Sequence, residues 1–295
     1  MIVITGATGA FGGATVDHLL AELPASEIAV VARDVTTAQR FAELGVEVRE
    51  GDYARPATLP AAFADAEQLL LVSSSDPHAD AVALHRTAID AAVDAGVGRV
   101  LYTSHQGAAP ASPFFPAQHH HATERLLADS GLAWTSLRNG FYLHSLTWLL
   151  GPWQQSGVIA VPADGPVSWT SRDDEAEAAA RILLAGRAAG SRAFDGPVTL
   201  TASAAPSFAE IAAVASDVTG REITSTVLSE EDWVAQRVAD GQPEPMARFL
   251  LGMYQAAGAG LFAGTDPLLA ELLEREPASV RDFLSVEAAA ATSAG

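Results

Sequence analysis

The chain has 295 residues, room for one large α/β domain or a nucleotide-binding domain with a smaller lobe. Its formal net charge of −19 speaks against nucleic acids and anionic membrane surfaces, which both attract basic proteins, while a 49% hydrophobic content supplies a sizeable core. With no cysteine, disulfides, thiolate nucleophiles and cysteine-ligated metals are excluded; with no 18-residue apolar run and a strand at the start of the chain, the expected address is the cytoplasm.

Ile2-Val3-Ile4 reads as a buried parallel strand that runs straight into Thr5-Gly6-Ala7-Thr8-Gly9-Ala10-Phe11-Gly12 and a helical segment over Ala14 to Leu23. Each glycine has a task at such a junction. Gly6 permits the tight turn, Gly9 lets backbone amides approach a pyrophosphate, and Gly12 lets helix and strand pack closely. The phosphates then lie at the positive end of the helix dipole. Gly6, Thr8, Gly9, Ala10 and Phe11 are accordingly assigned to a dinucleotide.

Further strands are expected over Ile28 to Ala32, Val46 to Arg49, Leu69 to Val72, Arg99 to Tyr102 and Trp134 to Leu137, with helices such as Val82 to Ala95 and Gln118 to Asp129 between most of them. Strands alternating with helices predict an α/β chain: an NAD(P)-binding Rossmann fold, a doubly wound parallel sheet, over residues 1–150. Ligands then belong at the carboxyl ends of the strands. Arg33 ends the second strand, where an arginine suits the extra phosphate of NADP and an acidic residue would suit NAD; the neighbouring Asp34 opposes the phosphate. NADP is the expected cofactor, with NAD as the alternative. Asp52 is read either as an acceptor for the adenine amino group or as a cap of its own turn. Ser73 and Ser74, followed by Ser75, are placed beside the ribose and nicotinamide.

Gln106 to Gln118 reads as a loop with three prolines and the pair Phe114-Phe115. Beyond residue 150 the pattern loosens, and a smaller α/β substrate lobe is expected over 151–285 with chain crossing back to the first domain. Val286 to Gly295 is alanine-rich without a core pattern, so 286–295 is expected to be a disordered tail. Phe114, Phe115, Trp148 and Trp153 are read either as an aromatic wall for a substrate or as core. The triplet His119-His120-His121 does not suggest a metal site, because consecutive helical residues point about 100° apart.

All 17 basic residues are arginine. Tyr53, Tyr102, Tyr142 and Tyr254 therefore all lack the lysine that lowers a phenol pKa in ordinary short-chain dehydrogenases. The chain resembles the NmrA-like group of atypical short-chain dehydrogenases/reductases, and within it the bacterial NAD(P)H:quinone oxidoreductases and triphenylmethane-reducing relatives. The resemblance is carried by Thr5-Gly6-Ala7-Thr8-Gly9, by Leu69-Leu70-Leu71-Val72-Ser73-Ser74-Ser75, by His120 with Thr123-Glu124-Arg125 and Leu127-Ala128-Asp129-Ser130-Gly131, and by Leu137-Arg138-Asn139-Gly140 with Tyr142. It covers most of the chain and is strongest to about residue 145.

The resemblance implies an NAD(P)H-dependent reductase of quinones or similar flat aromatics. It puts Thr103 and Ser104 beside the nicotinamide, and His120 and Glu124 where a tyrosine and lysine normally stand. There His120 is read either as donating to the substrate oxygen, with Glu124, four residues on, orienting it, or with Glu124 as a polar helix face closing over the cofactor. At the end of the sixth strand Asn139 is assigned to the cofactor site, and Tyr142 is read either as stacking on a flat substrate or as core. The group also includes redox sensors without turnover, and a tailoring enzyme for aromatic polyketides, reductase or oxygenase, is a third reading. A small aromatic or quinone substrate and a monomer or homodimer complete the expectation.

Overall fold

The structure, a computed structural model, describes residues 1–74, 76, 78–187 and 194–293, with side chains to 290 at the C-terminal end. Ser75 therefore lies outside the described residues. The chain forms two compact units. One comprises Met1–Ala108, His119–Asn139 and Arg172–Val198, the other Ala109–Gln118, Gly140–Ser171 and Thr199–Gly295. The division thus interleaves the chain instead of cutting it once near residue 150. Segment 172–198 returns to the first unit, and 109–118 leaves it early.

The first unit is built on β1 (Ile2–Thr5), α1 (Ala10–Leu20), β2 (Ile28–Ala32), α2 (Gln39–Glu43), β3 (Glu47–Glu50), α3 (Leu59–Ala62), β4 (Gln68–Leu71), α4 (Ala81–Asp94), β5 (Arg99–His105), α5 (Phe115–Asp129) and β6 (Ala133–Asn139). These six strands run parallel. The seven-stranded sheet has the order Gly196–Leu200, β6, β5, β4, β1, β2, β3. The order reverses beside β1, which makes the end of β1 the switch point of a doubly wound sheet. The expected Rossmann fold is present.

β1, β2 and β4 are buried along their whole length, which explains their continuous apolar runs. Val3, Leu69, Leu71, Val100 and Tyr102 share one core cluster with Phe63, just after α3, and with Ala88, Ile89 and Leu127 of the covering helices. α1 packs against the helix Arg172–Ala185, whose alanines 176, 178, 179 and 180 are buried. α5 begins at Phe115, so the loop before it is shorter than the prolines suggest. Pro116 sits in the helix's first turn, where its missing N–H costs nothing.

The second unit has its own core, with Phe114, Phe141, Trp153, Trp169, Phe208, Tyr254 and Phe262. It contains two small parallel strand pairs, Val158–Val161 with Thr224–Val227 and Phe141–Tyr142 with Trp169–Thr170. The helix Phe208–Thr219 opens with a capping box formed by Ser207 and Glu210 and ends at Gly220 in the left-handed region. The expected disordered tail is helical as far as it is described, since Val280–Ser293 is one helix packed along Phe208–Thr219. Val280 and Leu284 anchor it in the core, and alanine, the strongest helix former, carries it onward.

Candidate active site

The nucleotide loop has the geometry its glycines predict. Gly6 has φ +62°, and its carbonyl accepts from Gly9 N at 2.9 Å. A Cβ on Gly12 would lie 2.6 Å from Gly6 O, so the loop lies against the helix only because no side chain is present there. Gly9 precedes α1 without any side-chain cap, leaving the first amides of the helix to an external acceptor. Thr8, Gly9 and Ala10 are exposed. Phe11 is buried, so it can offer a cofactor only its backbone amide.

Sequence reasoning missed Thr5, whose hydroxyl ties the switch point together. It donates to Leu70 O at 3.0 Å, accepts from Val72 N at 2.9 Å, and lies 2.6 Å from the Tyr53 hydroxyl. Burial pushes Tyr53 above its ordinary pKa, so it stays a neutral donor. A threonine at the end of an apolar strand is the only signal the sequence carries for this.

At the end of β2, Arg33 is exposed and has no ion pair among the described residues. Asp34 is turned away into its own turn, accepting from Thr36 N at 2.9 Å and Thr36 Oγ1 at 2.7 Å, bonds that hold it below its ordinary pKa. The arginine is thus available to a phosphate. Asp52 closes its own turn, accepting from Ala54 N at 2.9 Å and pairing with Arg55 at 3.2 Å, which is the turn-capping arrangement.

Ser73 and Ser74 are half-buried at the end of β4. Thr103 is buried and accepts from Ser73 N at 2.8 Å, joining the ends of β4 and β5. Ser104 does not serve the same place. Alternation along β5 turns it toward α5, where its hydroxyl donates to Glu124 Oε1 at 2.8 Å. Asn139 ends β6, is 2% exposed, and neither atom of its amide has a hydrogen-bond partner among the described residues. Buried amides are rarely left unpaired. A glycine cradle, uncapped helix amides, an unpaired arginine and an unpaired buried amide together fit a phosphate-bearing dinucleotide.

The pairing expected of His120 and Glu124 is corrected by the structure. Glu124 is 5% exposed and accepts from Ser104, from Ser136 at 2.7 Å, and from Arg138 at both carboxylate oxygens, 2.9 and 2.6 Å. Burial pushes its pKa up, but Arg138 and the two hydroxyls outweigh this and hold it below the ordinary value. It anchors α5 to β5 and β6 and does not orient His120. Arg138, quoted in the sequence without a role, is its counter-ion. Helix spacing put Glu124 on the His120 side, but the greater pull is an arginine on a neighbouring strand.

His120 is oriented instead by Tyr102. The tyrosine hydroxyl lies 2.8 Å from His120 Nδ1, and the His120 ring stacks at 6.3 Å on His105. His120 Nε2 has no hydrogen-bond partner among the described residues. Burial and the neighbouring His105, His85 and His119 push His120 well below its ordinary pKa, so it is a neutral imidazole near pH 7. His85, 1% exposed on α4, lies beneath Tyr102 and was not singled out by sequence. A signal was present: Ala81, His85, Ala88 and Ala92 form a buried stripe in which His85 is the polar member.

Tyr142 belongs to the second unit, is half-buried, and packs against His144 at 5.5 Å. The aromatic wall divides. Phe114 and Trp153 are core residues, Phe114 packing on Phe141, Phe249 and Phe262, while Phe115 and Trp148 are 57% and 44% exposed.

Comparison with known proteins places the chain. The NmrA-like family model matches residues 1–284. Quinone oxidoreductase 2 of Escherichia coli is 34% identical over 288 residues, 97% of this chain and 98% of that protein. The crystal structure of the NADPH-dependent quinone oxidoreductase from Escherichia coli complexed with NADPH superposes with a TM-score of 0.88 at 33% identity, over 97% of this chain and 99% of that one. The triphenylmethane reductase of Citrobacter sp. complexed with NADP(H) gives a TM-score of 0.84 at 32% identity, over 98% of this chain and 100% of that one. The chain belongs to the NmrA-like family.

Proposed function

We propose that this protein is an NADPH-dependent reductase of quinones or similar flat, electron-poor aromatic compounds. The observation that carries the reading is a neutral donor beside a nucleotide-binding sheet end: His120 is half-buried, is held by Tyr102, and has a ring nitrogen without a hydrogen-bond partner among the described residues. The resemblance to reductases named for quinones and triphenylmethane dyes supports it.

Gly6, Gly9 and the first amides of α1 would hold the pyrophosphate, Arg33 the 2′-phosphate, and Asn139 the carboxamide end. NADPH, when bound, supplies the hydride. His120 then donates a hydrogen bond from Nε2 to the substrate oxygen on which charge develops. A reduced quinone is a stabilised oxyanion, so a neutral imidazole suffices and water completes the protonation. No lysine-activated tyrosine is required, in agreement with a chain that has no lysine.

The test is anaerobic stopped-flow absorbance of NADPH mixed with protein and a panel of quinones. Decay with one aromatic class is expected. His120→Ala should lower kcat about 10²-fold, the usual weight of one oxyanion donor, and leave NADPH affinity unchanged. Arg33→Ala should raise the KM for NADPH about tenfold, as for loss of a charge-assisted hydrogen bond, and leave NADH unaffected. No decay with NADPH demonstrably bound would overturn the reductase reading in favour of a redox sensor.

A further inference from the structure

Tyr102 lies on β5 beneath α4 and α5, and both helices turn histidines onto it: His85 at a ring distance of 5.3 Å and His120 at 5.8 Å. The hydrogens of His85 and Thr123 in this cluster are set by backbone groups. Ser74 N–H donates to His85 Nε2 at 2.8 Å. A neutral imidazole that accepts at one nitrogen carries its proton on the other, so His85 is protonated at Nδ1. That nitrogen lies 2.8 Å from Thr123 Oγ1 and 3.4 Å from the Tyr102 oxygen. Thr123 spends its own proton on His119 O at 2.9 Å, so its oxygen accepts from His85. The Tyr102 oxygen faces the His85 N–H at 3.4 Å and is also bonded with Thr123; of the acceptors within its reach the imidazole nitrogen of His120, 2.8 Å away, is the stronger, which directs the phenol proton to His120 Nδ1. His120, accepting at Nδ1, carries its proton on Nε2.

We infer that Ser74 N–H, His85, Tyr102 and His120 form a one-way hydrogen-bond chain that fixes His120 as an Nε2–H donor, making Tyr102 and His85 positioning residues of the site. The chain starts on a backbone amide, which has no alternative state and fixes its His85 end. It selects substrates that present an acceptor, such as a quinone carbonyl, over those that present a hydroxyl proton. This last consequence rests on the reductase reading; the tautomers themselves do not.

Long-range 1H–15N correlation of the full chain labelled with [15N]histidine reads both tautomers, with assignments from His85→Gln and His120→Gln. The expected result is opposite forms, His85 with its proton on Nδ1 and His120 with its proton on Nε2. Neutral imidazole in water favours Nε2–H, so the His85 form is one that a merely packed ring would not adopt. A proton on His85 Nε2 or on His120 Nδ1 would overturn the inference. In Tyr102→Phe, the His120 Nδ1 signal should lose the shift of an accepted hydrogen bond. Its kcat should fall about tenfold, the weight of one hydrogen bond, with KM for NADPH unchanged. His85 should keep its tautomer there, which reports a folded variant. Unchanged kcat in Tyr102→Phe, with the tautomers as inferred, would overturn the positioning role. Unchanged turnover in His120→Ala would overturn the reductase role of His120 and leave the tautomer pair standing.

Discussion

Glu124 illustrates how one residue's role is set by its surroundings. Its carboxylate is removed from water and accepts four hydrogen bonds, two of them from Arg138. A buried charge that loses its partner is costly, far more so than the net worth of the pair. Arg138→Met should therefore destabilise the protein by about 3 kcal/mol, at the lower end for buried pairs because Arg138 is partly solvated. Denaturant unfolding of the variant measures it. An unchanged midpoint would mean that Ser104 and Ser136 alone satisfy the carboxylate. His120 stands four residues earlier on the same helix, yet its ring belongs to a different network, because the helix face is shared between two strands with different polar groups.

Among the elements, the β1–α1 junction carries the strongest local constraint. Gly12 has no room for a Cβ: the contacts would be 2.6 Å to Gly6 O and 2.8 Å to Gly6 C, both backbone. Gly12→Ala must displace either the helix or the loop, and both hold the expected phosphate site. NADPH affinity should fall at least tenfold, while far-ultraviolet circular dichroism still reports a folded sheet. Gly131, by comparison, meets nothing within 4 Å of a built Cβ, although its φ of +79° still favours glycine. Calorimetric titration of Gly12→Ala with NADPH checks the first statement, and wild-type affinity would show that the loop relaxes without losing its amides.

For the whole molecule, the buried histidines set the response to acid. Burial lowers His85, helped by His119, and burial alone lowers His105, each to about 4. Unfolded, both titrate near the ordinary 6.5. Between these values the unfolded chain binds more protons, so stability rises with pH. The contribution is complete above about 6.5 and is lost as pH falls toward 4. For His85, 1% exposed, the difference is worth about 3 kcal/mol. Glu124, held low, adds a loss below the ordinary carboxylate range. Unfolding midpoints measured from pH 8 to 4 should fall steeply below 6.5, and His85→Gln should flatten part of that fall. An equal slope in the variant would mean that His85 protonates without penalty in the folded state.

Local order alone determined the alternation of strands and helices, the glycine loop and Arg33 at the second strand end. Each is a short-range property: a buried strand must be apolar, a tight turn beside a helix must be glycine, and a strand end must fall where the apolar run stops. Only the tertiary structure decided who meets whom across the sheet. Glu124 pairs with Arg138 because β6 lies beside β5 under α5, and His120 bonds Tyr102 because the parallel register brings the end of β5 beneath that helix. The C-terminal helix follows the same rule: an alanine-rich segment has no pattern of its own, and its order comes from Val280 and Leu284 entering a core made by distant residues. Charge pairing and long-range burial are properties of juxtaposition, which sequence spacing does not encode.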